Sequence, residues 1–468
     1  MTTIAVPDAP TSGADAGRAA RKRLSRGALG RWEPAAERFD PVTLLAEQDR
    51  TRVPELVPVR YGRMLESAFT FYRGAAAIMA ADLGAAPHSG LRAQLCGDAH
   101  LSNFGIFGAP DRRLVFDVND FDETLPGPFE WDVKRLVASF EIGGRDRGFE
   151  PAERRECVRR AARAYRRAMV EFATMGDMRL WYARLDIETV AKPLLRQVSG
   201  SERRRVKRGI AKARNKDSLR ALRKLTEEGD DGLRIADRPP VLVPIARLAG
   251  DRDPAEIQAM LRSLLDRYAG TLEPHSRRLV ERYHLVDAGH KVVGVGSVGT
   301  RAWIALLLGD LNRDPLFLQI KEAGSSVLEP YAGESEFAHH GQRVVAGQRL
   351  MQAAGDIMLG WLDAEGVDDG IERQYYVRQL WDGKGSADID VMEPQAMAIY
   401  ADLCGWTLAR AHGRSGDRAA IAAYLGRGDR FDRAMAEFAE AYADRNEADY
   451  QALLAAEERG DIQVLRGV

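Results

Sequence analysis

A chain of 468 residues, 45% hydrophobic and 29% charged, can bury a large core and holds two or three domains' worth of sequence. A formal net charge of −1 excludes a protein whose whole surface tracks nucleic acid, and no apolar run reaches a membrane span of roughly 18 residues. Cys96, Cys157 and Cys404 are widely spaced and odd in number, which excludes a disulfide framework and leads us to expect a reducing, cytoplasmic setting.

The opening residues show no secretory h-region and are rich in Ala, Gly, Ser, Thr and Arg, so a mobile tail is expected over 1–45. Residues 62–82, GRMLESAFTFYRGAAAIMAAD, have helical texture and lead through Pro87 and Gly90 into the short run RAQLCGD. Two short strands follow, with a turn at Gly108–Asp111, and the second ends in the acidic stretch VNDFDE. From Trp131 to about Met175 the pattern is helical, with a break at Gly143–Gly148 and Pro151. Residues 203–224 carry 11 Lys or Arg against one acid, which reads as a solvated helix; no aromatic residues interleave as stacking on nucleic acid would need. Further helices are expected over 237–286. The texture then turns to Gly and β-formers, and HKVVGVGSVGTRAWIALLLGDLNRDPLFLQIKE (290–322) reads as three strands. A helix over 334–360, a strand QYYVRQLW (374–381) and helices over 392–415 and 430–457 complete the chain.

Two acid and amide groups stand out. LCGDAHLSNFG carries Asp98, His100 and Asn103; VNDFDE carries Asp117, Asn119, Asp120, Asp122 and Glu123. Carboxylates this close repel unless a cation or hydrogen-bond donors join them. Hard oxygen donors suit Mg²⁺, which keeps few protein ligands and leans on phosphates. No second His stands at zinc spacing. A pair of acids alone also serves glycoside hydrolysis, but that leaves Asn103 and the later glycines unused.

VVGVGSVGTRAW places Gly294, Gly296, Ser297 and Gly299 between two apparent strands. A dinucleotide fingerprint needs a helix immediately after the glycines, and a P-loop needs a terminal Lys-Ser or Lys-Thr; this segment has neither. A hairpin whose backbone N–H groups cover phosphates is the remaining chemical use. Lys321 ends the next apolar strand, in reach of such a hairpin.

CGDAHLSN resembles the HGDxHxxN catalytic loop of the aminoglycoside and choline kinase branch of the protein-kinase-like superfamily, with Cys96 in place of the first His. VNDFDE resembles the metal-binding strand end that protein kinases write as DFG, and GVGSVG with LQIKE resembles their Gly-rich loop and strand lysine. The segments GDAHLSNFG and VNDFDETLPGPFEWDVKRLVASF also resemble a bacterial family of unknown function numbered 2252, over about residues 50–450. The kinase resemblance implies Asp98 as catalytic base, Asn103 and Asp120 as metal ligands with Asp122 able to share or replace Asp120, and Lys321 with Gly294, Gly296, Ser297 and Gly299 on the phosphates. Asp132 would brace the catalytic loop, Glu334 or Glu336 would pair with Lys321, and the hinge after QYYVRQLW would receive adenine.

The motif order departs from a standard kinase, since the catalytic loop precedes the apparent small lobe. A circular permutation accounts for this. The fold expected is therefore α+β: a two-lobed, kinase-like and permuted structure, mostly helical, with a small antiparallel sheet lobe. A helical lobe is expected over 46–285, a nucleotide-binding β-rich lobe over 286–385, and C-terminal helices over 386–468. The function expected is ATP- and Mg²⁺-dependent phosphoryl transfer to an unidentified hydroxyl acceptor, without nucleic acid or membrane. Nucleotidyl transfer, an inactive scaffold and a metal-dependent hydrolase are the alternatives.

Overall fold

The computed structural model describes residues 12–467, apart from 216, 217, 230, 231, 293, 295, 312, 313, 367, 368, 381 and 382. It is an α+β structure whose sheets are antiparallel. The largest sheet has six strands: Leu242–Pro244, Tyr283–Lys291, Ala302–Gly309, Pro315–Glu322, Glu372–Gln379 and Gly360–Glu365, in that spatial order. Alternation along the strands sends Phe317, Gln319 and Lys321 to one face and Leu316, Leu318 and Ile320 to the other. Both faces are covered. The helix Pro254–Thr271 lays Tyr268 against Ala305, Leu318 and Val377 on one side. The helix Ser218–Leu225 lays Ala221 and Leu225 against Ile304, Leu306 and Phe317 on the other. Burial on both faces is why WIALLLG and LFLQI are continuous apolar runs rather than alternating ones.

The rest of the chain is largely helical. Phe129–Asp146, Pro151–Phe172, Pro394–Ser415 and Arg430–Glu458 share one core that includes Val137, Tyr165, Leu408 and Phe438. Gly405 lets Pro394–Ser415 pack close on its neighbour; a Cβ there would stand 2.2 Å from the Ala161 carbonyl oxygen. This core is assembled from both sides of the sheet region in the sequence. No described helix is long and apolar enough to cross a membrane.

Several expectations need correction. The tail expected over 1–45 contains the helix Ser12–Arg23, which buries Ala20 and packs on Arg418–Leu425; residues 1–11 lie outside the described residues. The single helix expected over 62–82 is three: Val57–Met64, Ala68–Gly74 and Ala76–Gly84. Ser67 causes the first break, since its side chain accepts from Thr70 N while the Thr70 hydroxyl accepts from Ser67 N. The helix expected over 334–360 spans only His340–Met351, and Gly360 opens a strand instead. The boundary expected at 285/286 falls inside the strand Tyr283–Lys291. The helices Pro254–Thr271 and Pro274–Val280 pack on the sheet, not in the helical lobe.

Candidate functional site

The strand Arg92–Leu95 delivers Cys96 and Gly97 to a tight turn. Gly97 has φ +84°, and a Cβ there would stand 2.2 Å from the Glu123 carbonyl oxygen, so no other residue fits. Asp132, at the start of Phe129–Asp146, accepts from Cys96 N at 2.8 Å and Gly97 N at 3.1 Å. It thus braces the loop. One turn on, Arg135 points the same way, and its Nε and Nη2 lie 2.9 and 2.8 Å from Asp98 Oδ1. Arg135 is buried, stacks 3.9 Å over the Tyr72 ring and donates to Tyr72 O at 2.7 Å. Asp98 Oδ1 is therefore fixed. Oδ2 lies 3.6 Å from His100 Nε2. Burial pushes the His100 imidazole down to about 3, so the ring is neutral at pH 7. Asn103 Nδ2 donates to Asp98 O at 2.8 Å, and Oδ1 accepts nothing among the described residues.

Asn119 N donates to Asn103 O at 2.8 Å, which sets the acidic stretch beside the first loop. Its acids then part company. Asp117 is buried, paired with Arg410, and accepts from Ala353 N at 3.0 Å, so it is structural. Asp122 is paired with Lys321 through Oδ2 and accepts from the Tyr376 hydroxyl at 2.5 Å through Oδ1. Asp120 Oδ1 lies 4.0 Å from Lys321 Nζ. Burial would push the Asp120 carboxyl up, but Lys321, Arg378 and Lys384 outweigh it and hold the group below its ordinary value. Burial would likewise lower Lys321, but Asp120 and Asp122 outweigh it and keep the ammonium charged. Neither Glu334 nor Glu336 pairs with Lys321 among the described residues. The helix His340–Met351 contributes Arg343 instead, which donates to Thr124 O at 2.7 Å and to Asp122 O and Gly324 O at 2.9 Å.

Gly294 and Gly299 take φ +70° and +89°, which strain any residue with a Cβ. Val293, just before Gly294, and Val295, between Gly294 and Gly296, lie outside the described residues. Ser297 Oγ lies 3.4 Å from Asp122 Oδ2, so the glycine loop closes over the acid and lysine group. Its outer side is tied down. Arg52 donates to Val298 O at 2.5 Å, Val53 N donates to Gly299 O at 2.8 Å, and Arg63 donates to Gly294 O. A sequence profile of a family described as an uncharacterized protein conserved in bacteria, DUF2252, matches residues 52–456. The chain belongs to the DUF2252 family. The match begins at Arg52 and takes in all three segments of the site. No curated protein and no solved structure matches.

In this DUF2252 chain Trp381 and Asp382, where the hinge was expected at the end of QYYVRQLW, lie outside the described residues. A pocket of about 220 Å³ is lined by Phe107, Asn119, Gln348, Asp356, Arg378 and Lys384. Arg378 closes its inner end, donating to Asn119 O at 3.1 Å and Gln319 Oε1 at 2.9 Å. Among the described residues no three His, Cys, Asp or Glu side chains form a metal cage. Asp120 Oδ1 accepts from Asp122 N at 3.4 Å, and Asn103 Oδ1 with Asp120 Oδ2 suit a hard cation that draws its other ligands from phosphate or water. Arg135, Tyr376, Arg343 and Arg52 were not singled out from the sequence. Arg135 had a signal, its position one helical turn after Asp132; Tyr376 and Arg343 act across more than 200 positions and had none.

Proposed function

We propose that this cleft binds Mg²⁺ with a nucleoside triphosphate, ATP in the first instance, and transfers the terminal phosphoryl group to a hydroxyl acceptor. The observation that supports it is the meeting of Asp98, Asn103, Asp120 and Lys321 under a glycine loop, from segments about 200 positions apart. Lys321 lies on the third of three successive antiparallel strands, the first two joined by the glycine loop, and a helix follows. Protein kinases use that arrangement for their phosphate lysine. Among the described residues no helix glutamate pairs with Lys321, and Asp122 stands in its place.

Asp98 is the base in this reading. Arg135 holds one oxygen, leaving Oδ2 to take the acceptor's proton. Asn103 and Asp120 would hold Mg²⁺, which supplies charge neutralisation at the phosphates when bound. Lys321 exchanges Asp122 for phosphate oxygens, and backbone N–H groups of the glycine loop lie over the same group.

Calorimetry should register MgATP binding that is lost with EDTA and weakened at least tenfold by Asp120→Asn. Asp98→Asn should leave MgATP affinity within a few fold and lower turnover by about 10²–10⁴. Label should move from γ-labelled and not α-labelled ATP into a bacterial metabolite extract or the protein itself; transfer from the α position means nucleotidyl transfer instead. A second reading, an inactive scaffold, is favoured by the pairing of Lys321 with Asp122, whose carboxylate the Tyr376 and Ser297 hydroxyls also hold in a closed cluster. It predicts no transfer above the Asp98→Asn background.

A further inference from the structure

The basic segment that the site leaves unused forms a groove. Helices Ile187–Leu194 and Gly200–Arg214 wall a channel of about 370 Å³. Its floor is apolar: Ile187, Ala191, Leu195 and Ile210. Its rim is cationic. Lys192, Arg196, Arg203 and Lys207 all line it, all are exposed, and none of their side chains has a hydrogen-bond or ion-pair partner among the described residues. The one acid in the lining, Glu188, is taken by Arg214 at 3.0 Å. Four cations without an ion-pair partner among the described residues thus line one channel and favour an anionic occupant.

The wall is held in place. Glu202 is buried, pairs with Arg205 at 2.7 Å and accepts from Glu393 N at 2.8 Å. The channel continues past Lys207 to Asn215, so it suits an elongated occupant. A bare inorganic anion gains nothing from the apolar floor. No aromatic side chain lines the channel, so single-stranded nucleic acid lacks its stacking platform. An acidic peptide with apolar side chains on one face matches both features, with anchors on the floor and carboxylates at the rim.

We propose that this groove docks an acidic, amphipathic peptide segment of a partner protein. The proposal does not depend on phosphoryl transfer. It is tested on the full chain by fluorescence anisotropy, with a labelled 16-residue peptide carrying Leu at helical spacing and Glu elsewhere. Binding at 50 mM salt should weaken at least tenfold at 500 mM, and at least tenfold in Lys192→Glu/Lys207→Glu. Arg196→Glu/Arg203→Glu should do the same, with circular dichroism unchanged in both. Replacing the peptide's Leu by Ser at constant charge should also cost at least fivefold. Equal binding by wild type and both reversed variants overturns the proposal. So does indifference to the Leu→Ser change, or tighter binding of a 20-nucleotide single strand or of phosphatidylserine vesicles than of the peptide.

Discussion

Lys134 shows how far a buried charge can be tuned by its surroundings. It is 3% exposed, and its ammonium sits 4.5 Å over the Phe438 ring. Burial lowers its pKa from 10.5 to about 8, with Glu130 opposing. A group depressed in the folded state destabilises the fold while it is charged. The penalty is therefore complete below pH 8 and vanishes as pH rises to the unfolded value near 10.5. The shift is worth roughly 3 kcal/mol, and losing the ring contact gives back about 1. Lys134→Met should thus stabilise the protein by ~2 kcal/mol at pH 7, and the gain should fade towards pH 10.5, read by denaturant midpoints across pH. At this scale the sequence was legible where a motif carries its own spacing. Asp98 and Asn103 lie five apart on one loop and are found together. Partner choice was not legible: Asp122 and Asp120 are two residues apart, and only the fold decides that Asp122 takes the lysine.

The glycine loop is an element held from outside itself. Three of its carbonyls accept from Arg52, Val53 and Arg63, and Val298 packs with Leu56 and Val59. Arg52 is mostly desolvated, and burial, with the Arg60 charge, pushes it down to about 9. Arg52→Ala removes one charged donor and leaves the Val298 carbonyl without it, about 1.5–3 kcal/mol of local stability. Amide exchange over 294–300 should quicken at least tenfold, with little change in the helix Pro394–Ser415. Equal exchange in both proteins would mean that the tether does not hold the loop. Among elements, the strands Ala302–Gly309 and Pro315–Glu322 were readable because burial on both faces writes them as apolar runs. Gly360–Glu365 was not: it opens on Gly-Trp, lies at a sheet edge and has one exposed end.

Across the whole molecule, the large core closes on itself through one buried cation. Arg38 reaches Asp82 at 2.6 Å and Asp449 at 2.7 Å, joining helix Ala76–Gly84 to Arg430–Glu458. All three side chains are buried, and removing the cation leaves Asp82 to the Tyr442 hydroxyl and Asp449 to Arg445. Arg38→Met should cost about 3–5 kcal/mol, seen as a large fall in thermal midpoint. The order of the motifs was readable from the sequence, and so was the split of the helical core around the sheet. The covering of the sheet's lysine face by Ser218–Leu225 was not, because a short basic helix with three leucines reads as solvated. Its apolar stripe is too narrow to announce a partner.

The split core has a consequence for how the protein is made. A ribosome delivers Asp98 and Asp120 long before Lys321, and the pair Asp122–Lys321 must wait for a further 199 residues. The helix Arg430–Glu458, which buries Phe431, Phe438, Tyr442 and Leu453, follows later still. Until then the first helices lack the surface they pack against. The nascent chain carries exposed apolar faces through most of its synthesis, a state that chaperones recognise. The cleft can close only once Lys321 has been made, so a product that stops before that strand holds no finished site.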